Sequence, residues 1–416
     1  MKKNLLLIAT FFSVGFSYSQ VLDTVSLNAG YSNENYYNLD NGNKVSVVRD
    51  DWDLAFASDG VGFGTSTIRI NGAMLDELYK YSNDINDWGT VDTTGFDWST
   101  NQLVNSDTSW TTGAFENTTP TGQFDLGWGT YDINFHFVDG DKVFILKLAN
   151  GDYKKLIINS LISGVYSFKY ADLDGQNLVN TTIDKSNYTG KNFGYYSIQN
   201  DQELDREPAS NTWDLLFTKY RTILGGGTNY GVTGVLTNSD VTVAQVNNVG
   251  DVNNLSHSGH NYVSVINEIG WDWKSYSFSP PGYVITDSLV YFAELPNDDI
   301  YKIIFTGFGG NTTGDFIFTK EKVFSVGLEE NLVKSELLNV FPNPVSDFVN
   351  VTYVSTEKES KLSVYDLMGK ELLAKNVISN SGLSQQELDV SHLAKGTYIL
   401  MLTSENSRKT QKIIIQ

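Results

Sequence analysis

The chain has 416 residues, more than one ordinary core accommodates, which indicates roughly two to four domains. It contains no cysteine, so disulfides, cysteine zinc sites, cysteine nucleophiles and a cysteine-linked lipid anchor are excluded. The formal net charge is −20, and the excess of acidic residues falls between the N-terminal segment and Lys334. A nucleic-acid partner is therefore not expected, because such binding needs a basic surface.

The N-terminal segment has the features of a removable signal peptide. Two lysines precede an apolar run at residues 5–12, and Ser17 and Ser19 form a small-x-small cleavage site. The run is too short for a permanent membrane-spanning helix, and no later segment approaches the ~18 apolar residues that one requires. We therefore predict a signal peptide at residues 1–19 and a secreted mature chain without a transmembrane segment.

Aromatic residues dominate the body of the chain. The sequence holds 23 tyrosines, 23 phenylalanines and 8 tryptophans, which favour strands over helices. Its 36 glycines fit a protein with many turns. The predicted fold class is therefore all-β.

The body contains two copies of one repeat. In each copy a Tyr-Tyr pair, a Trp-Asp-Leu-x-Phe strand, a Gly-Trp landmark and a hairpin block occur in the same order. These landmarks are 36–37, 52–56, 126–128 and 143–161 in copy one, and 195–196, 213–217, 269–271 and 290–308 in copy two. We predict two tandem antiparallel β domains, at residues 20–185 and 186–326.

The best-aligned block predicts a β-hairpin in each copy. In copy one, strand patterns at 143–148 and 153–158 flank an Asn-Gly pair, which favours a tight primed turn. In the Trp-Asp-Leu-x-Phe strands the aromatic and acidic residues alternate between two faces. This alternation places Trp52 and Trp213 in the core and argues against a sugar platform there.

These landmarks resemble the HmuY-like family, which are all-β extracellular haem-binding proteins. The resemblance rests on the strand at 52–56, the Arg-x-Asn-Gly segment at 69–72 and the hairpin region at 143–170. Copy two has no clear Arg-x-Asn-Gly, and residues 234–238 are the candidates to take its place. The resemblance implies the fold and a haem ligand. Known members commonly carry a lipid anchor, which a chain without cysteine cannot have.

Haem binding requires axial His, Met or Tyr ligands in an apolar pocket. His136 lies in a predicted strand at 134–137, opposite its two phenylalanine neighbours, and Met74 follows the Arg-x-Asn-Gly segment. Met74 and His136 are therefore the candidate haem ligands. The alternative is an exposed strand histidine and a core methionine.

A second histidine pair lies in copy two. His257 and His260 are three residues apart in a polar segment and can chelate a metal ion if that loop is ordered. The sequence indicates no third ligand, so an ordinary polar loop is the alternative.

Signatures of catalysis are missing from the sequence. It has no Gly-x-Ser-x-Gly elbow, no His-Glu-x-x-His and no phosphate loop. Paired carboxylates are left open, because 49 acidic residues allow many pairs and the sequence gives no distances. We expect that the protein is not an enzyme.

The C-terminal part carries four blocks in a fixed order, at residues 340–345, 363–370, 388–398 and 409–416. They resemble the type A C-terminal sorting domain of the bacterial type IX secretion system. Short alternating strands separated by turns predict a small β-sandwich at 338–416, after a linker at 327–337. The resemblance implies that the outer-membrane translocon is a partner, and that the cargo is released or held on the outer-membrane surface.

The leading hypothesis is a secreted or cell-surface, non-enzymatic binding protein, exported by the type IX system, that captures haem or a related porphyrin. The alternative is a surface structural, adhesion or glycan-binding module, which the acidic, aromatic-rich and duplicated body favours. A hydrolase has the least support.

Overall fold

The computed structural model describes residues 20–58, 65–72, 76–225, 228–324, 338–354, 359–378, 383–403 and 408–416. Three predictions fall outside these residues, namely the signal peptide at 1–19, the candidate ligand Met74 and the linker at 327–337. The chain divides into two compact units after Phe324. We call the first unit the body and the second the sorting domain.

The all-β fold class is confirmed. In the described residues, helix is limited to one short α-helix, α1 (Gly310–Thr313), and 3-10 turns at Ala29–Tyr31, Ile85–Thr90, Lys185–Tyr188 and Ser210–Thr212. No helix in this part of the chain is both long and apolar enough to cross a membrane.

The strands of the body are numbered in chain order. Those up to residue 184 are β1 (Val21–Ser26), β2 (Asn33–Tyr37), β3 (Lys44–Val48), β4 (Leu54–Ala57), β5 (Ile68–Ile70), β6 (Glu77–Ser82), β7 (Gln102–Leu103), β8 (Gly129–Asp132), β9 (Phe137–Gly140), β10 (Val143–Lys147), β11 (Tyr153–Ile162), β12 (Val165–Asp172) and β13 (Val179–Asp184). Those that follow are β14 (Phe193–Ser197), β15 (Gln202–Leu204), β16 (Leu215–Leu224), β17 (Thr228–Thr237), β18 (Thr242–Val246), β19 (Lys274–Phe278), β20 (Pro281–Ile285), β21 (Val290–Glu294), β22 (Ile300–Phe308) and β23 (Asp315–Phe324).

These strands form two lobes. In the first lobe the sheet β13-β12-β11-β10-β6-β7, extended by β8 and β9, shares a core with the sheet β15-β14-β4-β5. In the second lobe the sheet β1-β23-β22-β21-β18 shares a core with β17-β16-β2-β3, and β19 pairs with β20. Alternate residues of a strand face one side, so Tyr166, Phe168 and Tyr170 of β12 all enter the first core.

The lobes do not follow the domain boundary predicted between residues 185 and 186. Strand β2 of copy one pairs with β16 of copy two, and β14 of copy two pairs with β4 of copy one. Strand β1 pairs with β23 at the end of the body. Each copy therefore completes a sheet of the other, because the Tyr-Tyr strand finds its hydrogen-bond partner in the Trp-Asp-Leu strand of the opposite copy.

The exchanged pairs have the same register. Tyr37 lies opposite Leu215, and Tyr196 lies opposite Leu54. The hairpins predicted at the aligned blocks are also present, with β10 paired to β11 and β21 paired to β22. The repeat seen in the sequence is therefore a repeat of backbone pairing.

The sorting domain is a two-sheet sandwich. Its strands are β24 (Leu338–Phe341), β25 (Phe348–Val354), β26 (Glu359–Tyr365), β27 (Glu371–Ile378), β28 (Leu383–Asp389), β29 (Gly396–Thr403) and β30 (Arg408–Ile415). The sheet β24-β25-β28 and the sheet β27-β26-β29-β30 contribute to one apolar core, in which Val351, Leu362 and Leu400 are fully buried.

Candidate ligand site

A pocket of about 690 Å³ lies at one edge of the first lobe, beside His136. Its apolar walls come from β8, β9 and β11, and its polar rim comes from the segments before β5 and after β13. The lining residues are Ser58, Thr65, Ser66, Leu126, Tyr131, His136, Phe137, Val138, Leu161, Ser163, Gly164, Lys185, Ser186 and Thr189. The pocket is large enough for a small-molecule ligand, because such pockets typically hold about 300–1,000 Å³.

His136 lies in a turn, which corrects the strand predicted at 134–137. The turn joins β8 to β9, and the His136 amide donates to the Asp132 carbonyl at 2.8 Å. The Asp132 carboxylate accepts from the amides of Asn134 at 2.8 Å and Phe135 at 3.1 Å. This side-chain capping ends the strand, since aspartate competes with the sheet for backbone donors.

The imidazole of His136 is oriented by one contact. Tyr131 Oη lies 2.7 Å from His136 Nδ1, and the ring is otherwise exposed. When Nδ1–H donates its hydrogen bond to Tyr131 Oη, the lone pair of Nε2 is available to a metal ion, as in metal-binding histidines whose second nitrogen is hydrogen-bonded. The Tyr131–His136 pair can therefore offer Nε2 of His136 as one ligand to a metal ion.

Lys185 contributes a positive charge to the lining of the pocket. Its ammonium donates to the Thr65 carbonyl at 2.6 Å and lies 5.3 Å from the ring centroid of Tyr166. This ammonium is the basic group among the lining residues, so an acidic group of a ligand would be favoured beside it.

The Arg-x-Asn-Gly segment has a structural role. Arg69 donates to the carbonyls of Ser106, Ser109 and Thr112, and burial lowers the pKa of its guanidinium to about 10. Asn71 Nδ2 donates at 2.9 Å to the carbonyl of Arg49 and at 2.9 Å to that of Trp52.

Copy two has an equivalent anchor at Asn238. Its Nδ2 donates to the Trp213 carbonyl at 2.9 Å and to the Ser210 carbonyl at 2.6 Å. Residues 234–238 thus stand where the sequence suggested, and they supply the asparagine but no arginine.

His257 and His260 are each packed against a phenylalanine. The His257 ring lies 5.2 Å from Phe324, and the His260 ring stacks 5.5 Å from Phe292. His260 Nε2 lies 2.9 Å from the Ser256 carbonyl. Among the described residues no group of three or more His, Asp and Glu side chains is placed to hold a metal ion, so a site at this pair stays a prediction.

A buried polar cluster joins the two lobes, and no sequence motif indicated it. Arg206 Nη1 lies 2.5 Å from Glu34 Oε1, and its Nη2 donates to the Val48 carbonyl at 2.5 Å. Arg206 Nε is 3.0 Å from Asp51 Oδ1, a charge contact without hydrogen-bond geometry. Burial raises the pKa of Asp51.

The same junction contains two tyrosines from the exchanged strands. The hydroxyls of Tyr36 and Tyr195 are 3.4 Å apart, and Tyr195 also donates to Glu207 Oε2 at 2.8 Å. Burial raises the pKa of the Glu207 carboxyl to about 7, against the lowering effect of donors from Asn192 and Tyr195. A cavity nearby holds only about 90 Å³, too little for a tetrapyrrole.

Comparison with known proteins identifies the C-terminal unit. Residues 339–416 match the family model of the secretion system C-terminal sorting domain, which confirms the sorting domain predicted at 338–416. The chain is therefore an exported protein, addressed to the outside of the cell through the type IX secretion system. No curated protein matches the chain.

Two solved structures give weak similarity over most of the chain. Dimeric latent PorU from Porphyromonas gingivalis is 8% identical, with a TM-score of 0.19, 88% of this chain covered and 34% of that chain. PorZ, a surface component of the type IX system of the same organism, is 11% identical, with a TM-score of 0.17 and coverages of 96% and 58%. The chain thus spans about a third and somewhat over half of their lengths. These scores carry no argument about the body, and its resemblance to HmuY-like proteins stays a prediction.

Proposed function

We propose that the body is a non-enzymatic binding unit that captures haem or a related porphyrin outside the cell. The observation that carries the proposal is the His136 imidazole at an apolar-walled pocket of about 690 Å³. An apolar pocket with an axial histidine or tyrosine is the arrangement that haem iron requires.

The contact between Tyr131 and His136 supports this assignment. It fixes the direction of the imidazole and leaves the lone pair of Nε2 available to a ligand, while Tyr131 Oη, 2.7 Å from Nδ1, is the alternative protein ligand at this position. Met74 stays a candidate for the second axial position and lies outside the described residues.

The pocket walls match the rest of the ligand. Leu126, Val138 and Leu161 provide apolar surface for a macrocycle, and Lys185 provides a positive charge for acidic substituents. The junction carboxylates Glu34 and Glu207 are engaged by Arg206 and Tyr195, contacts that stabilise the fold. Because these two buried carboxylates take part in contacts that hold the fold together, they support a binding role for the body in preference to a catalytic one.

The test is an absorbance titration of the mature chain with haemin, in the oxidised and reduced forms. We expect a saturable Soret band at one haem per chain. His136→Ala should abolish or strongly shift the band, because it removes the ligand but leaves an exposed turn intact. Met74→Ala tests the second ligand, and a shifted spectrum is expected if Met74 binds the iron.

His260→Ala is the matched control, because His260 is a half-buried histidine outside the pocket. It should leave the titration unchanged. A flat response of the wild-type chain, or a band that survives both His136→Ala and Tyr131→Phe, would remove haem from this pocket.

A further inference from the structure

The hairpin of β19 and β20 projects aromatic rings into solvent. Tyr276 lies opposite Tyr283, and Phe278 lies opposite Pro281, so these four residues share one face. Tyr276 is 49% exposed, Tyr283 40% and Phe278 85%. Exposed aromatic residues grouped on one face mark an interaction surface more often than a solvated edge.

The exposed rings continue an aromatic row from the core. Trp273 is buried and lies 5.8 Å from Phe308, which lies 4.7 Å from Tyr283. Tyr276 lies 5.2 Å from Tyr283 and 5.2 Å from Phe278. Because each ring rests on the next, the outer rings are held in place and would lose little conformational freedom on binding.

The rings meet edge to face, with interplanar angles of 78° at both outer contacts. Each ring therefore offers its own stacking surface. A ligand made of successive rigid rings, joined at an angle, can contact Phe278 and Tyr276 in turn.

Apart from Lys274, with which β19 begins, the hairpin is uncharged, since no acidic or basic residue occurs in residues 275–286. Lys274 is buried, and its ammonium donates to the carbonyls of Thr233 at 2.6 Å and Trp271 at 3.2 Å. Serines alternate with the aromatic residues of β19, so Ser275 and Ser277 lie on the opposite face of the hairpin. The aromatic face therefore offers rings and tyrosine hydroxyls to a partner, but no ion.

We infer that the β19–β20 hairpin is a docking surface for an uncharged polysaccharide outside the cell. A sugar ring has an apolar C–H face, which stacks on an aromatic side chain, and a hydroxyl rim, which bonds to tyrosine hydroxyls. The surface matches both features, and the sorting domain delivers the protein to the side of the membrane where such polymers are found.

Other occupants fit less well. An anionic polymer or lipid headgroup would meet a chain of net charge −20 with no available cation on the hairpin. A second copy of the chain would bring the same acidic charge. A bilayer that took up the aromatic face would bury the hydroxyl of Tyr276 without a partner.

The test measures retention of the full mature chain on insoluble cellulose, chitin, starch and β-1,3-glucan, with alginate as the anionic comparison. We expect retention on at least one neutral polymer. The double variant Tyr276→Ala/Phe278→Ala should weaken it at least about tenfold, because each stacked ring contributes at hot-spot level. Both side chains are exposed, so the fold should survive.

Phe135→Ala is the control, because Phe135 is a 75% exposed aromatic residue on the hairpin of the other lobe. Phe135→Ala should leave retention on the polysaccharide unchanged. The double variant should bind haemin like the wild type, so the haem pocket and the aromatic hairpin are tested separately. The inference is overturned by no retention on any neutral polymer, by equal retention of the double variant, or by binding to alginate alone. The inference is also overturned if the chain partitions into phosphatidylcholine vesicles. It is likewise overturned if the chain forms a dimer in solution and Phe278→Ala makes it a monomer.

Discussion

The two lobes carry different surfaces at equivalent hairpins. In the first lobe, β8–β9 follows the landmark at residues 126–128 and forms a wall of the His136 pocket. In the second lobe, β19–β20 follows the landmark at 269–271 and exposes three aromatic rings on one face. The strands beneath them keep the same pairing. The two lobes therefore share the framework of the repeat, while the hairpins at its edge differ.

The framework itself is held by matched anchors and by one unmatched ion pair. Asn71 and Asn238 make the same bond to the preceding tryptophan carbonyl, at 2.9 Å in both copies. The pair Arg206 and Glu34 instead joins one lobe to the other. Four predictions, from the largest expected effect to the smallest, test how far the equivalence of the lobes extends.

Arg206→Met should cost about 3–5 kcal/mol of the free energy of unfolding, because it leaves the Glu34 carboxylate buried without its partner. Chemical denaturation of the chain measures the loss. The double variant Arg206→Met/Glu34→Gln should recover part of it, since the uncompensated charge is then gone.

Lys44→Met is the control for this ion pair. Lys44 pairs with Asp23 at 2.6 Å but is 37% exposed, so its loss should cost less than about 1 kcal/mol. A loss for Arg206→Met as small as that of the control would show that the junction does not hold the lobes together.

Asn71→Ala and Asn238→Ala should each cost about 2–4 kcal/mol, because each change leaves one buried and one partly buried carbonyl oxygen without its side-chain donor. Asn238→Ala should cost more, since Asn238 Oδ1 also accepts from Asn192 Nδ2 at 2.8 Å and from the Ser239 amide at 2.8 Å. Denaturant midpoints of the two variants give the difference. Asn150→Ala, in an exposed turn, is the control, and a larger loss for Asn71→Ala would contradict the ranking.

Glu207→Gln should flatten the dependence of stability on pH. Burial raises the carboxyl pKa to about 7 in the folded body from its ordinary value of 4.5, so between these two pH values the folded state holds more protons than the unfolded state. Its contribution is present below pH 4.5 and is lost as the pH rises through 7, by up to about 3 kcal/mol.

The measurement for Glu207 is denaturation between pH 5 and pH 8. The variant retains Asp214, whose pKa burial raises to about 6, and Glu116, whose pKa burial raises to about 8. The stability of the variant should therefore still fall with pH, but less steeply than that of the wild type. The lowered pKa values of Asp23 and Asp40 act below this window. Identical slopes for wild type and Glu207→Gln would refute the assignment.

Tyr36→Phe and Tyr195→Phe test the smallest difference at the junction. Tyr36→Phe removes only the 3.4 Å hydroxyl contact and should cost at most about 0.5 kcal/mol. Tyr195→Phe also removes the donor to Glu207 and should cost about 1–1.5 kcal/mol. Thermal unfolding separates them, and equal losses would mean that Glu207 does not depend on Tyr195.

Local patterns predicted much of this fold. The hairpin at residues 143–158 and the strands of the sorting domain follow from alternation and turn residues, which act between near neighbours. The exchange of strands between copies was not predictable, because Tyr37 and Leu215 are far apart in sequence and nothing local selects one copy over the other as the partner.

The candidate site was predicted in part. The sequence named His136, but it assigned a strand where Asp132 caps a turn, and the Asp-x-Asn pattern was the available indication. The pocket walls come from segments that only tertiary structure brings together. The exposed hairpin has a signal in the sequence, because serines alternate with Tyr276 and Phe278. The same alternation is typical of any half-buried strand, so it does not indicate an exposed aromatic face.

The pairing of β1 with β23 has a consequence for how the body folds. Val21 lies opposite Lys320 and Ser26 lies opposite Asp315, so the first and last strands of the body are paired with each other. Contacts this distant in sequence form late and slowly, because a long loop must close first. In a chain that emerges from its N-terminus, β1 therefore has no partner until β23 has emerged. The sheet of the second lobe is complete only when the whole body is available to fold.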